Sequence, residues 1–232
     1  MVLRLQNLMP NQYARRPTRR RPQAIASAPG RPETAERIVR LAAPLFLKKG
    51  YDNVSIDEII GVVGGSKATI YAWFGGKEGL FEAVIKRECQ DVVLAIHTDA
   101  AGTLEERLTE IGRSFLAMVL SPPILEFHRL MVSIGRKFPE IGRLFYQTGP
   151  HSAYNIVAAW MAKQQKDGRI MDEDPYHLAV LFLDMLIGEH QLSWLTSMPR
   201  AARRDRIDET VRIAVKVFLR GCAPQAGSQQ PK

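Results

Sequence analysis

The residues best suited to chemistry lie in one segment, positions 55–81, which reads SIDEIIGVVGGSKATIYAWFGGKEGLF. Its hydrophobic spacing predicts two short helices joined by a tight glycine turn. Hydroxyl and amine groups gather at the start of the second helix, at Ser66, Lys67 and Thr69. Such groups recognise other molecules by hydrogen bonding, and their placement is the one that a helix-turn-helix needs to set a recognition helix in the major groove of DNA.

The elements that position these groups are marked by the residues at their ends. Ser55 is suited to cap the first helix, and Glu58, three residues later, completes a capping box. Gly64 and Gly65 supply the positive φ angles that end this helix, and Ser66 begins the next one as its N-cap. The spacing then predicts which side chains of the second helix face outward: Lys67, Thr69, Ala72 and Trp73. On these residues alone, a structural hairpin that does not touch DNA remains an alternative.

The residues on either side of the segment bear on that alternative. Upstream, AERIVRLAAPLFLKKGYDNVS predicts an amphipathic helix stopped by Gly50, and downstream GGKEGLF leads into another helix. With these flanks, about residues 35–85 resemble the N-terminal domain of the TetR/AcrR family of bacterial transcriptional regulators. A second stretch, FHRLMVSIGRKFPEIGRLFYQTGP from Phe127, resembles the ligand-domain segment of one branch of that family.

The resemblance implies a set of DNA contacts in the second helix. Ser66, Lys67 and Thr69 stand where the family contacts base edges and nearby phosphates, and Tyr71 and Trp73 stand where aromatic side chains press against the DNA backbone. For Lys67 the alternative is a solvated surface position, and for Tyr71 it is a partly buried core position.

Two further contacts are implied outside that helix. Lys77 fits a phosphate clamp, with solvated surface as the alternative, and Ser55 can donate a hydrogen bond to a phosphate from the start of the first helix. The chain also departs from the family pattern at two positions. Gly65 stands where the family often has a valine in the turn, and Trp73 is bulkier than the usual residue there.

The charge of the chain is concentrated at its start. The 232 residues have a net charge of +8, with 46% hydrophobic and 24% charged residues, as is ordinary for a globular protein. Residues 1–32 carry seven arginines and no acid, so the other 200 residues carry the difference between +8 and +7, a net +1. We expect residues 1–31 to form a disordered basic tail, which either adds a DNA contact or is a solvated extension.

Helical spacing without strand-like alternation predicts an all-α fold for the rest of the chain. We expect an N-terminal three-helix DNA-binding domain with the helix-turn-helix at residues 32–78. A larger helical domain for effector binding and dimerisation follows at residues 79–221, and a disordered tail at 222–232.

A two-helix unit reads only a few base pairs, so useful affinity needs two copies and a pseudo-palindromic operator. We expect a homodimer formed by the last two helices, because the final one has an apolar stripe at three- and four-residue steps and the one before it is apolar nearly all round. The interface candidates are Leu186, Ile207, Val211, Val215 and Phe218. The alternative is burial of these helices within one subunit.

The middle helices carry aromatic, methionine and histidine side chains of the kind that line apolar pockets. The pocket candidates are Phe127, His128, Met131, Phe145, Tyr154, Trp160, Met185 and His190. The same spacing is typical of a plain core, so the choice among them stays open. The branch that the Phe127 segment resembles often has an acid where this chain has Ile134, and we therefore expect a neutral or weakly polar, mostly apolar effector.

Other classes of protein find no support in the sequence. The five histidines show no metal-ligand spacing and no serine lies in a GxSxG elbow, so we expect no enzyme, no metal and no cofactor. The apolar run from Leu178 is short for a membrane span and contains Asp184. Cys89 and Cys222, far apart in sequence, are typical of free thiols in a reducing cytoplasm.

We therefore predict a cytoplasmic, homodimeric, ligand-responsive repressor that binds a double-stranded DNA operator. The alternative is an all-helical small-molecule binding or scaffolding protein without specific DNA binding.

Overall fold

The computed structural model describes residues 31–98, 101–195 and 204–222. This part of the chain forms ten helices and no strand, which confirms the all-α prediction. The helices are α1 (Arg31–Lys49), α2 (Ile56–Val63), α3 (Lys67–Phe74), α4 (Lys77–Leu94), α5 (Leu104–Val119), α6 (Pro122–Gly135), α7 (Pro139–Thr148), α8 (Pro150–Lys166), α9 (Pro175–Leu195) and α10 (Arg204–Cys222). The tails were expected at residues 1–31 and 222–232; Arg31 and Cys222 belong to helices, and residues 1–30 and 223–232 lie outside the described residues.

The helix-end signals of the segment 55–81 act as predicted. The Ser55 hydroxyl accepts a hydrogen bond from the Glu58 amide at 3.2 Å, and a Glu58 carboxylate oxygen accepts one from the Ser55 amide at 2.9 Å. Gly64 and Gly65 have φ angles of 76° and 90°, which other residues adopt only at a cost. These two glycines end α2 and turn the chain sharply into α3.

The core of the N-terminal half extends past residue 78, where the sequence suggested a domain boundary. One continuous cluster joins α1–α4 to side chains of α6 and α7. Its aromatic centre is Phe81, whose ring centroid lies 4.8 Å from those of both Phe46 and Tyr51. The cluster members that come from α6 and α7 are Phe127, Leu130, Met131, Ile134 and Ile141. The helix-turn-helix unit is therefore packed directly onto helices of the larger domain.

A second cluster holds α5, α8, α9 and α10 together. Phe182 of α9 and Phe218 of α10 meet edge to face, with ring centroids 5.1 Å apart. Gly112 allows α5 and α10 to approach closely, since a Cβ atom there would lie 3.1 Å from a methyl carbon of Val211. Cys222 is the last residue of α10, and its carbonyl oxygen accepts a hydrogen bond from the Met171 amide at 2.9 Å. The folded part thus runs one residue beyond the expected boundary at 221.

Two prolines mark the corner between α5 and α6. α6 begins at Pro122, because a proline in the first turn lacks only an N–H that would have no partner there. Across the described ranges, no single helix is long and apolar enough to cross a membrane, and α5 with α6 passes that test only as a pair bent by 68°.

Candidate nucleic-acid interface and ligand cavity

The start of α3 presents its hydroxyl groups at the surface. Ser66 caps the helix, with its hydroxyl oxygen accepting a hydrogen bond from the Thr69 amide at 3.2 Å. The same oxygen lies 3.1 Å from the Thr69 hydroxyl. The two side chains are therefore pre-ordered by local capping, and each hydroxyl still has hydrogen-bonding capacity to offer an incoming molecule.

Lys67 lies beside these hydroxyls and is held by an acid of the preceding helix. Its ammonium nitrogen lies 2.7 Å from Asp57 Oδ1 and 2.9 Å from Asp57 Oδ2. Both side chains are exposed, so this ion pair contributes little to stability and can open at low cost. The ion pair orients the lysine across the α2–α3 turn.

The two aromatic residues of α3 lie in different surroundings. Tyr71 is 58% exposed, which favours a contact role over the partly buried position that the sequence left open. Trp73 is instead partly buried against the N-terminal core cluster. The outward orientation expected for Trp73 is therefore only partial, because its large ring covers apolar side chains that a smaller residue would leave exposed.

Lys77 is occupied within the protein. Its ammonium group donates hydrogen bonds to the carbonyl oxygens of Tyr51 at 3.0 Å and Asp52 at 3.4 Å, and it lies 4.5 Å from the centroid of the Tyr51 ring. Three favourable contacts inside the fold compete with the phosphate clamp that the sequence suggested for it. The described geometry supports a positioning role, in which Lys77 ties the first turn of α4 to the loop between α1 and α2.

Ser55 is likewise engaged in its own helix cap. Besides the capping box, the Ser55 hydroxyl donates to Glu58 at 3.0 Å, and Glu58 also accepts a hydrogen bond from Lys49. The hydrogen bond from Lys49 and those from Ser55 lower the pKa of Glu58 to about 2. A carboxylate this close to Ser55 disfavours a phosphate contact at that hydroxyl.

A cavity of about 520 Å³ opens between α4, α5, α6, α7, α8 and α9, within the usual size range of small-molecule pockets. Four of the eight pocket candidates line it, namely Phe127, His128, Phe145 and Tyr154. Apolar side chains of α4, α5 and α9 complete most of the wall. The cavity thus lies in the larger domain, where the sequence placed an effector site.

The other four pocket candidates lie elsewhere. Met131 is buried in the N-terminal core cluster and Trp160 in the C-terminal one. Met185 is exposed, and a ring nitrogen of His190 lies 3.2 Å from the Thr210 hydroxyl between α9 and α10. We could not separate these four from cavity-lining residues by helical spacing, because core side chains and cavity-lining side chains both recur every three to four residues along a helix.

Ile134 also lies away from the cavity. It is buried in the N-terminal core cluster, so the residue at this position does not bear on the charge of a bound effector. The expectation of a neutral effector therefore needs other support.

The polar residues of the cavity were largely missed from the sequence. Glu88 lies in the wall with its carboxylate 2.8 Å from Arg87 Nη1, and burial raises the pKa of Glu88. Asp184 and Gln191 face the cavity from α9. The available signal was their spacing of seven residues in a largely apolar helix, since residues two turns apart share a face.

The stripe proposed as the dimer interface is buried within one chain. Leu186, Val211, Val215 and Phe218 belong to the C-terminal core cluster, and Ile207 packs against it. This corrects the sequence prediction for these five residues, which are covered by their own subunit, although neither helix is buried all round. Periodicity identified the buried face of α10, but the side chains that cover it come from α5 and α9 of the same subunit.

The opposite faces of the same two helices carry large apolar side chains at the surface. On α9 these are Leu181, which is 60% exposed, and Met185, and on α10 they are Ile213 and Val217, which is 56% exposed. Each pair is separated by four residues, so each forms a short apolar stripe along its helix. We define Leu181, Met185, Ile213 and Val217 as the outer face of α9 and α10.

The described residues contain no group of three or more His, Cys, Asp or Glu side chains that could hold a metal ion. The two cysteines are both buried and unbridged in the structure. Burial raises the pKa of Cys89 to about 11, so its thiol stays protonated and a poor nucleophile near neutral pH.

Two family models match the chain. Residues 38–84 match the model described as bacterial regulatory proteins, tetR family, and residues 106–223 match that of the AefR-like transcriptional repressor, C-terminal domain. Together they cover the helix-turn-helix and the cavity-bearing domain. The second match alone spans half of the chain.

Curated relatives agree with this assignment. The repressor ComR of Escherichia coli K12 is 37% identical over 67 residues, which are 28% of this chain and 32% of ComR, so the match spans about a third of that relative. The regulator RutR of Escherichia coli K12 is 23% identical over 211 residues, which are 81% of this chain and 90% of RutR.

Solved structures share the fold over nearly the whole described region. A TetR-family regulator from Mesorhizobium loti MAFF303099 has a TM-score of 0.78 at 24% identity, covering 84% of this chain and 100% of its own, and at that identity it bears on fold alone. The flavonoid-responsive regulator FrrA has a TM-score of 0.74 at 28% identity, with the same coverage. The chain belongs to the TetR family of bacterial transcriptional regulators.

Proposed function

We propose that this protein is a cytoplasmic, non-enzymatic transcriptional repressor that binds a pseudo-palindromic DNA operator as a homodimer and is released by a small molecule. The observation that carries the proposal is that one helix, α4, both packs against α3 of the helix-turn-helix and lines a cavity of about 520 Å³. Its first residue, Lys77, contacts the Tyr51 loop, and Glu88, Cys89 and Val92 further along line the cavity.

The proposed DNA contact lies at the exposed start of α3. Ser66, Lys67 and Thr69 would reach base edges and phosphates, and Tyr71 would press against the backbone, since these side chains lie at the surface or at its edge. Ser55, Trp73 and Lys77 stay candidates with a supporting rather than a direct role, because each already has contacts inside the fold.

The proposed dimer contact is the outer face of α9 and α10. When a second copy covers these exposed apolar stripes, the dimer is stabilised by roughly 25 cal/mol for each Å² of apolar surface removed from water. Two copies related by a two-fold axis would present two α3 helices to successive turns of the major groove.

The proposed release uses α4 as the connection between cavity and operator. Lys77 and Glu88 are eleven residues apart, or about 17 Å along the helix axis at 1.5 Å per residue. An effector that binds more tightly to one orientation of α4 would shift the population of dimers towards that orientation. Operator binding would weaken when the favoured orientation places the two α3 helices at the wrong separation.

The mostly apolar wall of the cavity supports an effector with a large apolar part. FrrA, a structural relative at 28% identity, is described as flavonoid-responsive. Flavonoids are therefore the first class of compound to screen for this protein.

The decisive experiment is binding of the full chain to the DNA just upstream of its own gene, titrated at two salt concentrations with Lys67→Ala and, as a matched control, Lys166→Ala on α8. We expect saturable binding that survives competitor DNA and is weakened by Lys67→Ala alone. A chain in which residues 2–30 are deleted should keep specific binding. Weak, salt-sensitive binding that disappears with this deletion would contradict a helix-turn-helix contact and leave the arginine tail as the DNA contact.

The dimer is tested separately by sedimentation of Leu181→Asp and Val217→Asp, with Val132→Asp on α6 as an equally exposed control. We expect the first two variants to become monomers and the control to sediment as the unmodified chain does. Dimers that persist in both variants would show that a different surface joins the subunits.

A further inference from the structure

One polar pair of the cavity joins α8 to α9. The Tyr154 hydroxyl donates a hydrogen bond to Asp184 Oδ1 at 2.8 Å, and both residues line the cavity. Burial and this hydrogen bond raise the pKa of Tyr154, so the phenol stays protonated and keeps donating to the carboxylate. Asp184 therefore retains a second oxygen that can accept a hydrogen bond from a ligand.

A second polar pair joins α6 to α9. Nε2 of His128 lies 3.3 Å from the side-chain nitrogen of Gln191, while Nδ1 of His128 is buried and has no hydrogen-bond partner among the described residues. Burial lowers the pKa of His128, which keeps the ring neutral near pH 7. When the Gln191 amide donates to Nε2, the ring proton lies on the buried Nδ1, and the second N–H of the Gln191 amide stays available to a molecule in the cavity.

The two pairs stand apart by a defined distance. Asp184 and Gln191 are seven residues apart on α9, so their backbones are separated by about 10 Å along the axis and lie on one face. Gly188 lies between them in the cavity wall, where an added Cβ would meet no atom within 4 Å. The space between the two polar pairs is thus open, and its sides include the aromatic rings of Phe115 and Phe145.

The charges of the wall disfavour an anion. Glu88 and Asp184 both line the cavity, and none of its lining residues in the described part of the chain is Lys or Arg. Glu88 is already paired with Arg87, and Asp184 is exposed to water as well as hydrogen-bonded to Tyr154, so neither carboxylate requires a cation. This supports an uncharged ligand on grounds independent of Ile134.

From these observations we infer that the effector is an uncharged, elongated aromatic molecule with a carbonyl-type acceptor at one end and a hydroxyl donor at the other. The acceptor takes a hydrogen bond from the second N–H of the Gln191 amide, which His128 orients, and the hydroxyl donates to Asp184 beside Tyr154. The inference rests on the proposed function, because it assigns the chemistry of the effector that the same cavity holds.

The test uses four probes that differ at one position: flavone, 4′-hydroxyflavone, flavone-4′-carboxylate and 4′-(aminomethyl)flavone. Their dissociation constants for the full chain are measured by calorimetry without DNA. We expect 4′-hydroxyflavone to bind roughly 3- to 10-fold more tightly than flavone, the net gain of a hydrogen bond for which water also competes, since Asp184 is exposed. The carboxylate and the ammonium probe should both bind more weakly than 4′-hydroxyflavone.

Two variants assign the ends of the ligand. Asp184→Asn should remove most of the advantage of the hydroxyl probe over flavone, whereas Gln191→Leu should weaken both probes by a similar factor. Asp172→Asn, an exposed acid between α8 and α9, is the matched control and should change neither. Circular dichroism checks that each variant is folded, and the comparison of probes on the unmodified chain stands even when a variant fails to fold.

Several results would overturn the inference: tightest binding by the carboxylate or the ammonium probe, an unchanged hydroxyl advantage in folded Asp184→Asn, or no binding by any of the four. Because binding is measured without DNA, these results are distinct from a failure of operator binding. A chain that binds its operator but none of the probes would remain a regulator with an effector of different chemistry.

Discussion

Lys77 Nζ lies 3.0 Å from the carbonyl oxygen of Tyr51 and 4.5 Å from the centroid of the Tyr51 ring. The Tyr51 ring in turn packs against Phe81 of α4 and Phe138 before α7. One lysine therefore fastens the start of α4 to the loop before α2 and, through Tyr51, to the larger domain. The family resemblance implied a phosphate contact for this residue, whereas the tertiary structure gives it internal partners.

Replacing Lys77 by Met should lower the free energy of unfolding by about 1–2 kcal/mol, since a charged hydrogen bond and a cation–π contact are lost while the apolar stem is kept. DNA affinity should fall because α4 is no longer anchored, with the salt dependence of binding unchanged. Urea denaturation and DNA titrations at several salt concentrations measure the two effects. A shallower salt dependence at unchanged stability would instead establish Lys77 as a phosphate contact.

Replacing Asp57 by Asn should raise operator affinity by roughly two- to fivefold, because Lys67 is released from an exposed ion pair worth up to about 1 kcal/mol. Fluorescence anisotropy with labelled operator measures the change. Asp172→Asn removes the same charge far along the chain and serves as the control. Equal or weaker binding by Asp57→Asn would mean that Lys67 does not reach the DNA.

Replacing Phe218 by Ala should lower the free energy of unfolding by about 3–5 kcal/mol, as for other large core side chains, because its ring is buried against Phe182. Val132→Ala on the exposed side of α6 should change stability by at most about 0.5 kcal/mol. If Phe218→Ala dissociated a dimer and left the stability of the chain intact, the interface predicted from the sequence would be restored.

Glu58 should make the fold sensitive to acid. Its folded-state pKa of about 2 lies below the ordinary value of 4.5, so its contribution to stability is full above pH 4.5 and is lost as the pH falls towards 2. Thermal unfolding across this range should show a smaller loss for Glu58→Gln than for the unmodified chain. Glu105→Gln, in the first turn of α5, is the control and should behave as the unmodified chain does.

The helix ends of the segment 55–81 were correctly predicted because they depend on residues close in sequence. A capping box needs only Ser55 and Glu58, and a positive φ needs only a glycine such as Gly64. Neither depends on side chains that the tertiary fold brings close from distant parts of the chain. The all-α fold and the family followed from the same local patterns. The matching family models and the TM-score of 0.78 to a family structure confirm both.

The apolar stripe of α10 is a feature whose partner the sequence could not predict. The three- and four-residue spacing of Val211 and Phe218 identified a buried stripe, but a period does not say whether the covering side chains belong to the same chain or to a second copy. Packing of α5 and α9 against this stripe decided the matter and left Leu181 and Val217 outside.

The cavity depended on the tertiary structure for the same reason. Phe145 lines it and Trp160 does not, although both are aromatic residues on amphipathic helices, because only the relative placement of six helices determines where a gap remains. Glu88 and Asp184 gained their importance in the same way, since a carboxylate has no distinctive chemistry until its burial and its neighbours are known. The sequence by itself determined the helices, their caps and the family, whereas contacts between side chains far apart in the sequence decided the cavity and the exposed faces.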